Sequence, residues 1–218
     1  MQTIKVNYKS TTNATIANRW LRSLPDLFAA DFEVAVKYLP EELEQFALQK
    51  EQSTSKREQI TLQSKLKATP LGHPSHCQLT HLSIAWSPSD SFVLVLDNPA
   101  ITNIALRFLT TTPKKQIWHN AGYDFRQMMY FSGHVPLNYE DTQILAKCLM
   151  NHVESYKADT KLKSLMGNQY GSWGISADHF TLAQMYDDTN IRYAATDACA
   201  TYKLWLDLQD YNKQVGSI

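Results

Sequence analysis

Asp31 and Glu33, two residues apart, stand in an otherwise apolar stretch over 27–36, Leu-Phe-Ala-Ala-Asp-Phe-Glu-Val-Ala-Val. In an extended strand, side chains alternate between faces. Phe28, Ala30, Phe32, Val34 and Val36 then share one face, and the two carboxylates share the other with Ala29 and Ala35. Adjacent carboxylates repel and resist desolvation unless a cation lies between them. For hard oxygen ligands the compact choice is a divalent metal, Mg²⁺ or Mn²⁺. Taken alone, the pair also fits an edge strand with a wet polar face. Asp124 opens a helical stretch in Trp118-His119-Asn120-Ala121-Gly122-Tyr123-Asp124, a place where a carboxylate also suits the helix dipole. Tyr193 and Asp197 are four residues apart in the last helical stretch and share a face.

The elements that must hold these residues are legible in outline. Ile4, Val6 and Tyr8 alternate, which predicts a short strand or extended arm over 2–8. Ile16, Trp20, Leu21 and Leu24 predict a helix over 13–24, ended by Pro25-Asp26. Residues 78–86 and 92–96 predict two strands joined by the turn cluster at 87–90, giving with 27–36 a three-stranded antiparallel meander. Asn98-Pro99 caps a helix over 100–111 with Ile101, Ile104, Ala105 and Phe108 inward. Gln116-Ile117-Trp118 reads as a buried strand, followed by a helix over 123–132 closed by Gly133. Asp141-Thr142 caps a helix with Ile144, Leu145, Cys148 and Leu149 on one side. A short helix over 160–166 stops at Gly167, Gly171 and Gly174 flank Trp173 in a loop, and a final helix runs from about 189 to about 210.

The 218 residues carry 44% apolar and 19% charged residues and no net formal charge, the profile of a single soluble domain. Neutrality excludes a protein that coats duplex DNA and confines any nucleic-acid contact to a cleft. No apolar run reaches the length of a membrane span and no signal pattern follows Met1. Cys77, Cys148 and Cys199 read as reduced, mostly buried thiols, and the expected location is the cytoplasm, or a host's cytoplasm. A polar excursion over 37–70 reads as two helices, or one long one, with a solvated tip at 52–55. Its basic residues Lys50, Lys56, Arg57, Lys65 and Lys67 fit either a solubilising arm or contact with a nucleic-acid backbone. His73, His76 and Cys77 are close enough to suggest zinc. Pro74 lies between them and no second ligand pair matches, so they read as a turn. His119 reads equally as a substrate contact or a packed strand-end histidine.

In order, these motifs resemble the 3′→5′ exonuclease family with four metal-binding carboxylates, and within it the proofreading domain of family A DNA polymerases. Asp31 and Glu33 match the first motif, Asn120 and Asp124 the second, and Tyr193 and Asp197 the third. Thr-His-Leu-Ser-Ile-Ala-Trp at 80–86, Asp141-Thr142-Gln143 and Lys161-Leu162-Lys163-Ser164-Leu165 are similar to its second strand and connecting helices, so the likeness spans about 27–208. The sister subgroup would place a histidine at 192. Arg192 stands there with Tyr193 beside it, which matches the tyrosine subgroup. Those polymerase domains commonly carry a turn such as Thr-Gly-Leu after the glutamate, where this chain has Val34-Ala35-Val36 and the excursion.

The resemblance implies a ribonuclease-H-like α/β fold, a mixed sheet of about five strands with helices on both faces. It implies removal of nucleotides from DNA 3′ ends as 5′-monophosphates, using two divalent ions ~3.5–4 Å apart. Asp31 would bridge both ions, Glu33 and Asp197 would hold the ion that activates water, and Asp124 would hold the other through water. Tyr193 would orient the attacking water and Asn120 would contact the substrate strand. With no polymerase palm or fingers following, the expected protein is a stand-alone exonuclease of replication or proofreading, of the kind a phage encodes. Its partners would be single-stranded DNA 3′ ends and a separate DNA polymerase. The alternatives are a ribonuclease D-like exoribonuclease and a non-catalytic module that binds nucleic acid or a polymerase.

Overall fold

The alternation over 27–36 builds the middle of the molecule. The structure is a computed structural model and describes residues 3–36, 41–60, 74–150, 160–167, 169–171, 173 and 182–215. The strands are β1 (Asn7–Thr11), β2 (Leu27–Val36), β3 (Cys77–Ala85), β4 (Asp90–Val95), β5 (Lys115–Trp118) and β6 (Tyr139–Asp141). They form one six-stranded sheet in the order β1-β4-β3-β2-β5-β6. The β2–β3 and β3–β4 pairs are antiparallel, which is the expected meander. The β1–β4, β2–β5 and β5–β6 pairs are parallel. The result is the mixed sheet of a ribonuclease-H-like fold, with six strands rather than about five. The additional strand is β6, only three residues long and too short to leave a period in the sequence. The first strand lies later than predicted, at 7–11 instead of 2–8, because its register is set by pairing with 90–94.

Each face of the sheet has its own cover. Phe28, Ala30 and Phe32 point to one side with Leu82, Ile84, Phe92 and Leu94. There they meet α1 (Ala14–Arg22), α3 (Pro99–Thr111) and α4 (Ala121–Ser132) through Ala17, Leu21, Ile101, Ala105 and Met128. Asn13 and Asn98 cap α1 and α3, each accepting two backbone N–H groups. Gly133 ends α4 with φ 72°, the left-handed C-cap that glycine adopts without steric cost.

The opposite face is covered by α7 (Asp188–Val215), longer at both ends than the sequence periodicity predicts. Ala194, Ala195, Ala198 and Cys199 are buried on it, and side chains this small let the helix approach the sheet closely. α5 (Thr142–Met150) and α6 (Leu162–Met166) pack beside it through Ala146, Leu149 and Met166. Here two expectations are corrected. Ile144 and Cys148 face solvent rather than the core, because Ala146 and Leu149 form the inward stripe, and Cys148 is an exposed thiol while Cys77 and Cys199 are buried.

In the polar excursion, α2 (Glu41–Gln52) and a helical segment over 56–60 are separated by residues 53–55. Residues 37–40 and 61–73 lie outside the described residues, and with them His73, Lys65 and Lys67. Among the described residues no helix is long and apolar enough to cross a membrane.

Candidate active site

The α7 face of β2 carries Asp31 and Glu33, and the first turns of α7 lie over it. One carboxylate oxygen from each of Asp31, Glu33 and Asp197 falls within a single group whose members are all within 4.8 Å of one another. The pairing of β3 with β2 braces the strand at these two residues. Ser83 Oγ donates to the Asp31 carbonyl at 3.2 Å, and Thr80 Oγ1 to the Glu33 carbonyl at 3.0 Å. The register shifts between Glu33 and Val34, where Thr80 is the extra residue in β3. Such a bulge re-aims side chains: His81 stays opposite Glu33 while Leu79 returns to the apolar face with Leu82. His81 is fully buried, and its Nε2 meets the Met185 carbonyl at 2.7 Å, tying β3 to the segment that leads into α7.

Charges this close cannot be accommodated by burial alone. Desolvation first, then Glu33, Asp124 and Asp197, holds the Asp31 carboxyl well above its ordinary range. Glu33 is raised well above its range as well, by burial and then by Asp197 and Asp124. Burial also raises Asp197, to about 6, although Lys163, the Trp173 indole and the Tyr193 hydroxyl act in the opposite direction. Among the described residues, Glu33 Oε1 is buried without a hydrogen-bond partner. An orphaned carboxylate oxygen among convergent carboxylates is what a hard divalent cation satisfies. The donor set therefore fits Mg²⁺ or Mn²⁺.

Asp124 comes from α4, near enough for its charge to raise both Asp31 and Glu33. It is 2% exposed, and its Oδ1 accepts the backbone N–H of Phe32 at 3.1 Å. Burial raises it to about 7 against that hydrogen bond. The start of its helix is held by Asp141, which accepts from Asn120 N at 3.1 Å and Ala121 N at 2.8 Å. The same carboxylate accepts from Gln143 N at 2.8 Å and Ile144 N at 3.3 Å, so Asp141 caps α4 and α5 together. Asn120 is the one non-glycine among the described residues with positive φ, at 59°. Asparagine tolerates that conformation better than most residues, and it leaves Asn120 exposed at the corner.

Tyr193 is buried one turn before Asp197, and its hydroxyl is among the groups that hold the Asp197 carboxyl down against burial. Burial and the carboxylates of Asp197, Glu33 and Asp31 raise the phenol far above its usual value, so it stays protonated. Three neighbours escaped the sequence reading in their roles. Lys163 Nζ donates to the Tyr193 hydroxyl at 2.7 Å, Trp173 Nε1 donates to Asp197 Oδ1, and Asp141 joins two helices. Only Asp141 had a local signal, the Asp-Thr cap. His119 sits at the end of β5 with Nδ1 2.8 Å from Thr142 Oγ1, and burial lowers it to about 4. It is neutral and packed, the structural alternative of its two readings.

The fold is ribonuclease-H-like. No protein-family model matches the chain, and no curated protein matches it. Solved structures do. NrnC of Brucella melitensis with bound Mg²⁺ is similar at a TM-score of 0.56 and 14% identity, over 99% of this chain and 84% of that one. The catalytic core of RRP6 from Trypanosoma brucei is similar at 0.59 and 12%, over 99% and 49%. Escherichia coli RNase D, an exoribonuclease involved in structured RNA processing, is similar at 0.52 and 15%, over 96% and 46%. At such identities the likeness is one of fold.

Proposed function

We propose that this chain is a metal-dependent 3′→5′ exonuclease of the tyrosine subgroup. The observation that carries the reading is the convergence of Asp31, Glu33 and Asp197, drawn from β2 and α7, on one half-buried point. These three residues would hold the divalent ions, with Asp124 completing the set. Bound there, two such ions supply the positive charge that stabilises in-line displacement at phosphorus and lowers the pKa of water. The chain does the rest by placement. β2 fixes Asp31 and Glu33 at a braced position, Asp31 half-buried and Glu33 buried, and α7 brings Asp197 to them. Tyr193, protonated and held one turn away, points a hydrogen-bond donor at the place where the attacking water is deprotonated. Asn120, exposed at its left-handed corner, contacts the substrate strand. The 37–70 excursion within this single domain contributes binding rather than chemistry.

The sequence motifs support DNA as the substrate, with single-stranded 3′ ends, a role in replication or proofreading and a separate polymerase as partner. The structural neighbours support a second reading, an exoribonuclease, since RNase D is named as one and NrnC has been solved bound to pGG. The two readings share the carboxylate site and diverge at the 2′-hydroxyl. Matched 3′-labelled single-stranded DNA and RNA, incubated with and without Mg²⁺, decide between them. The expected result is stepwise release of 5′-monophosphates that chelation abolishes. Cleavage of neither polymer, or cleavage indifferent to metal, overturns the proposal.

A further inference from the structure

Lys163 is an exposed residue of α6, yet its ammonium turns inward. Nζ donates to the Tyr193 hydroxyl at 2.7 Å and stands 4.3 Å from the centroid of the same ring. Its charge partly offsets the burial that raises Glu33 and Asp197. A phenol oxygen that accepts from an ammonium keeps its own proton for another acceptor. The carboxylate one turn along the helix is Asp197, on which this hydroxyl acts, so Lys163, Tyr193 and Asp197 stand in sequence.

The charges give this series a second meaning. Two divalent ions balance the four carboxylates of the site. Lys163 then leaves one positive charge in excess, equal and opposite to that of one phosphodiester. A cation in this place opposes the binding of metal ions and favours the arrival of substrate.

We propose that Lys163 is a positioning residue, which keeps the Tyr193 hydroxyl turned as a proton donor toward Asp197 and the space beside it while weakening the grip of the site on divalent cations. This rests on the exonuclease reading above. A lysine that merely supported the fold would, on removal, loosen metal binding and slow cleavage together. A positioning cation makes the two move in opposite directions.

The test is a titration with Mn²⁺, followed by the electron paramagnetic resonance of the free ion, on the wild type, Lys163→Met and Lys163→Gln. It is paired with single-turnover cleavage of 3′-labelled single-stranded DNA and its RNA counterpart. Both variants are expected to bind Mn²⁺ about three- to tenfold more tightly, the scale of one partly screened charge. Both should cleave about tenfold more slowly or worse, as when a directing hydrogen bond is lost. Added to Tyr193→Phe, Lys163→Met should slow cleavage little further, because both lesions break the same series. Mn²⁺ affinity that is unchanged or weaker in both variants overturns the assignment, as do rate losses that multiply. A wild type that binds no Mn²⁺ overturns the exonuclease reading and this inference with it. A wild type that binds and cleaves, beside a Lys163→Met variant that cleaves equally fast, overturns only the role of Lys163.

Discussion

The carboxylate of Asp124 accepts the backbone N–H of Phe32 at 3.1 Å, which fastens the second acidic motif to the peptide between Asp31 and Glu33. Phe32 is itself fixed on the far face of the sheet, where its ring stacks on Trp118 with centroids 6.0 Å apart. Asp124 therefore has two duties, one electrostatic and one structural, and substitutions separate them. Asp124→Asn keeps an acceptor oxygen for Phe32 and removes the charge. It is expected to lose activity by orders of magnitude while melting close to the wild type. Asp124→Ala also leaves a buried N–H unpaired, a loss of about 1–3 kcal/mol. Equal melting temperatures for the two variants would show that the hydrogen bond contributes nothing.

Mutual repulsion gives the metal-free protein an unusual response to pH. Burial above all raises these carboxyls, Asp197 to about 6 and Asp124 to about 7, with Asp31 and Glu33 raised further by their neighbours. A carboxyl raised on folding favours the fold when protonated. That contribution is complete below the unfolded carboxyl range, at roughly pH 4, and is lost as pH climbs through 6 and 7. In chelator, melting temperature should fall between pH 5 and pH 8, and Mg²⁺ or Mn²⁺ at pH 8 should restore it. Asp31→Asn should be inactive, melt higher than the wild type in chelator at pH 8, and show a shallower pH dependence. A variant that melts several degrees lower there, or retains full activity, contradicts the placement of Asp31 at the centre of the cluster.

Asp141 is tested through the two helices it caps. Removing a single cap costs about 1 kcal/mol, and Asp141 accepts from the first N–H groups of both α4 and α5. Asp141→Ala is expected to lower the melting temperature by several degrees, since about 1 kcal/mol moves a domain of this size by about 2–4 °C. Activity should fall by more than stability explains, because Asn120 and Asp124 both depend on the start of α4. Asp141→Asn, which keeps one acceptor oxygen, should fall between. Unchanged turnover in a folded Asp141→Ala variant would separate this cap from the site.

The parts of this architecture that the sequence announces are those with a local rule. Strand β2 is legible because its ten residues are apolar except for two carboxylates two positions apart, which fall on one face. The α3 cap is legible because Asn98 and Pro99 are adjacent. What stays hidden depends on tertiary contact. Strand β6 exists because Gln116–Trp118 offers it an edge. Ile144 faces water although its type says core, because Ala146 and Leu149 already fill the contact. Lys163 and Trp173 reach Tyr193 and Asp197 across 30 and 24 residues of chain, and no local rule announces either contact.

Tyr193 and Asp197 share a face of α7, and their substitutions should still differ in kind. The phenol gives one directed hydrogen bond, whose loss costs a few kcal/mol at most, on the order of a hundredfold in rate. Phe keeps the buried ring and its packing, so Tyr193→Phe should melt near the wild type and bind Mn²⁺ with little change. Asp197 is one of the three convergent carboxylates. Asp197→Ala removes one of those three carboxylates and leaves the Trp173 indole without its acceptor. Mn²⁺ binding should weaken severely, and cleavage should fall well below that of Tyr193→Phe. Single-turnover rates at saturating Mg²⁺, with Mn²⁺ affinities measured on the same preparations, check the order. A Tyr193→Phe enzyme as inactive as Asp197→Ala, yet loaded with metal, would give the tyrosine a share in proton transfer. A fully active one would remove it from the chemistry and leave Asp197 to orient water alone.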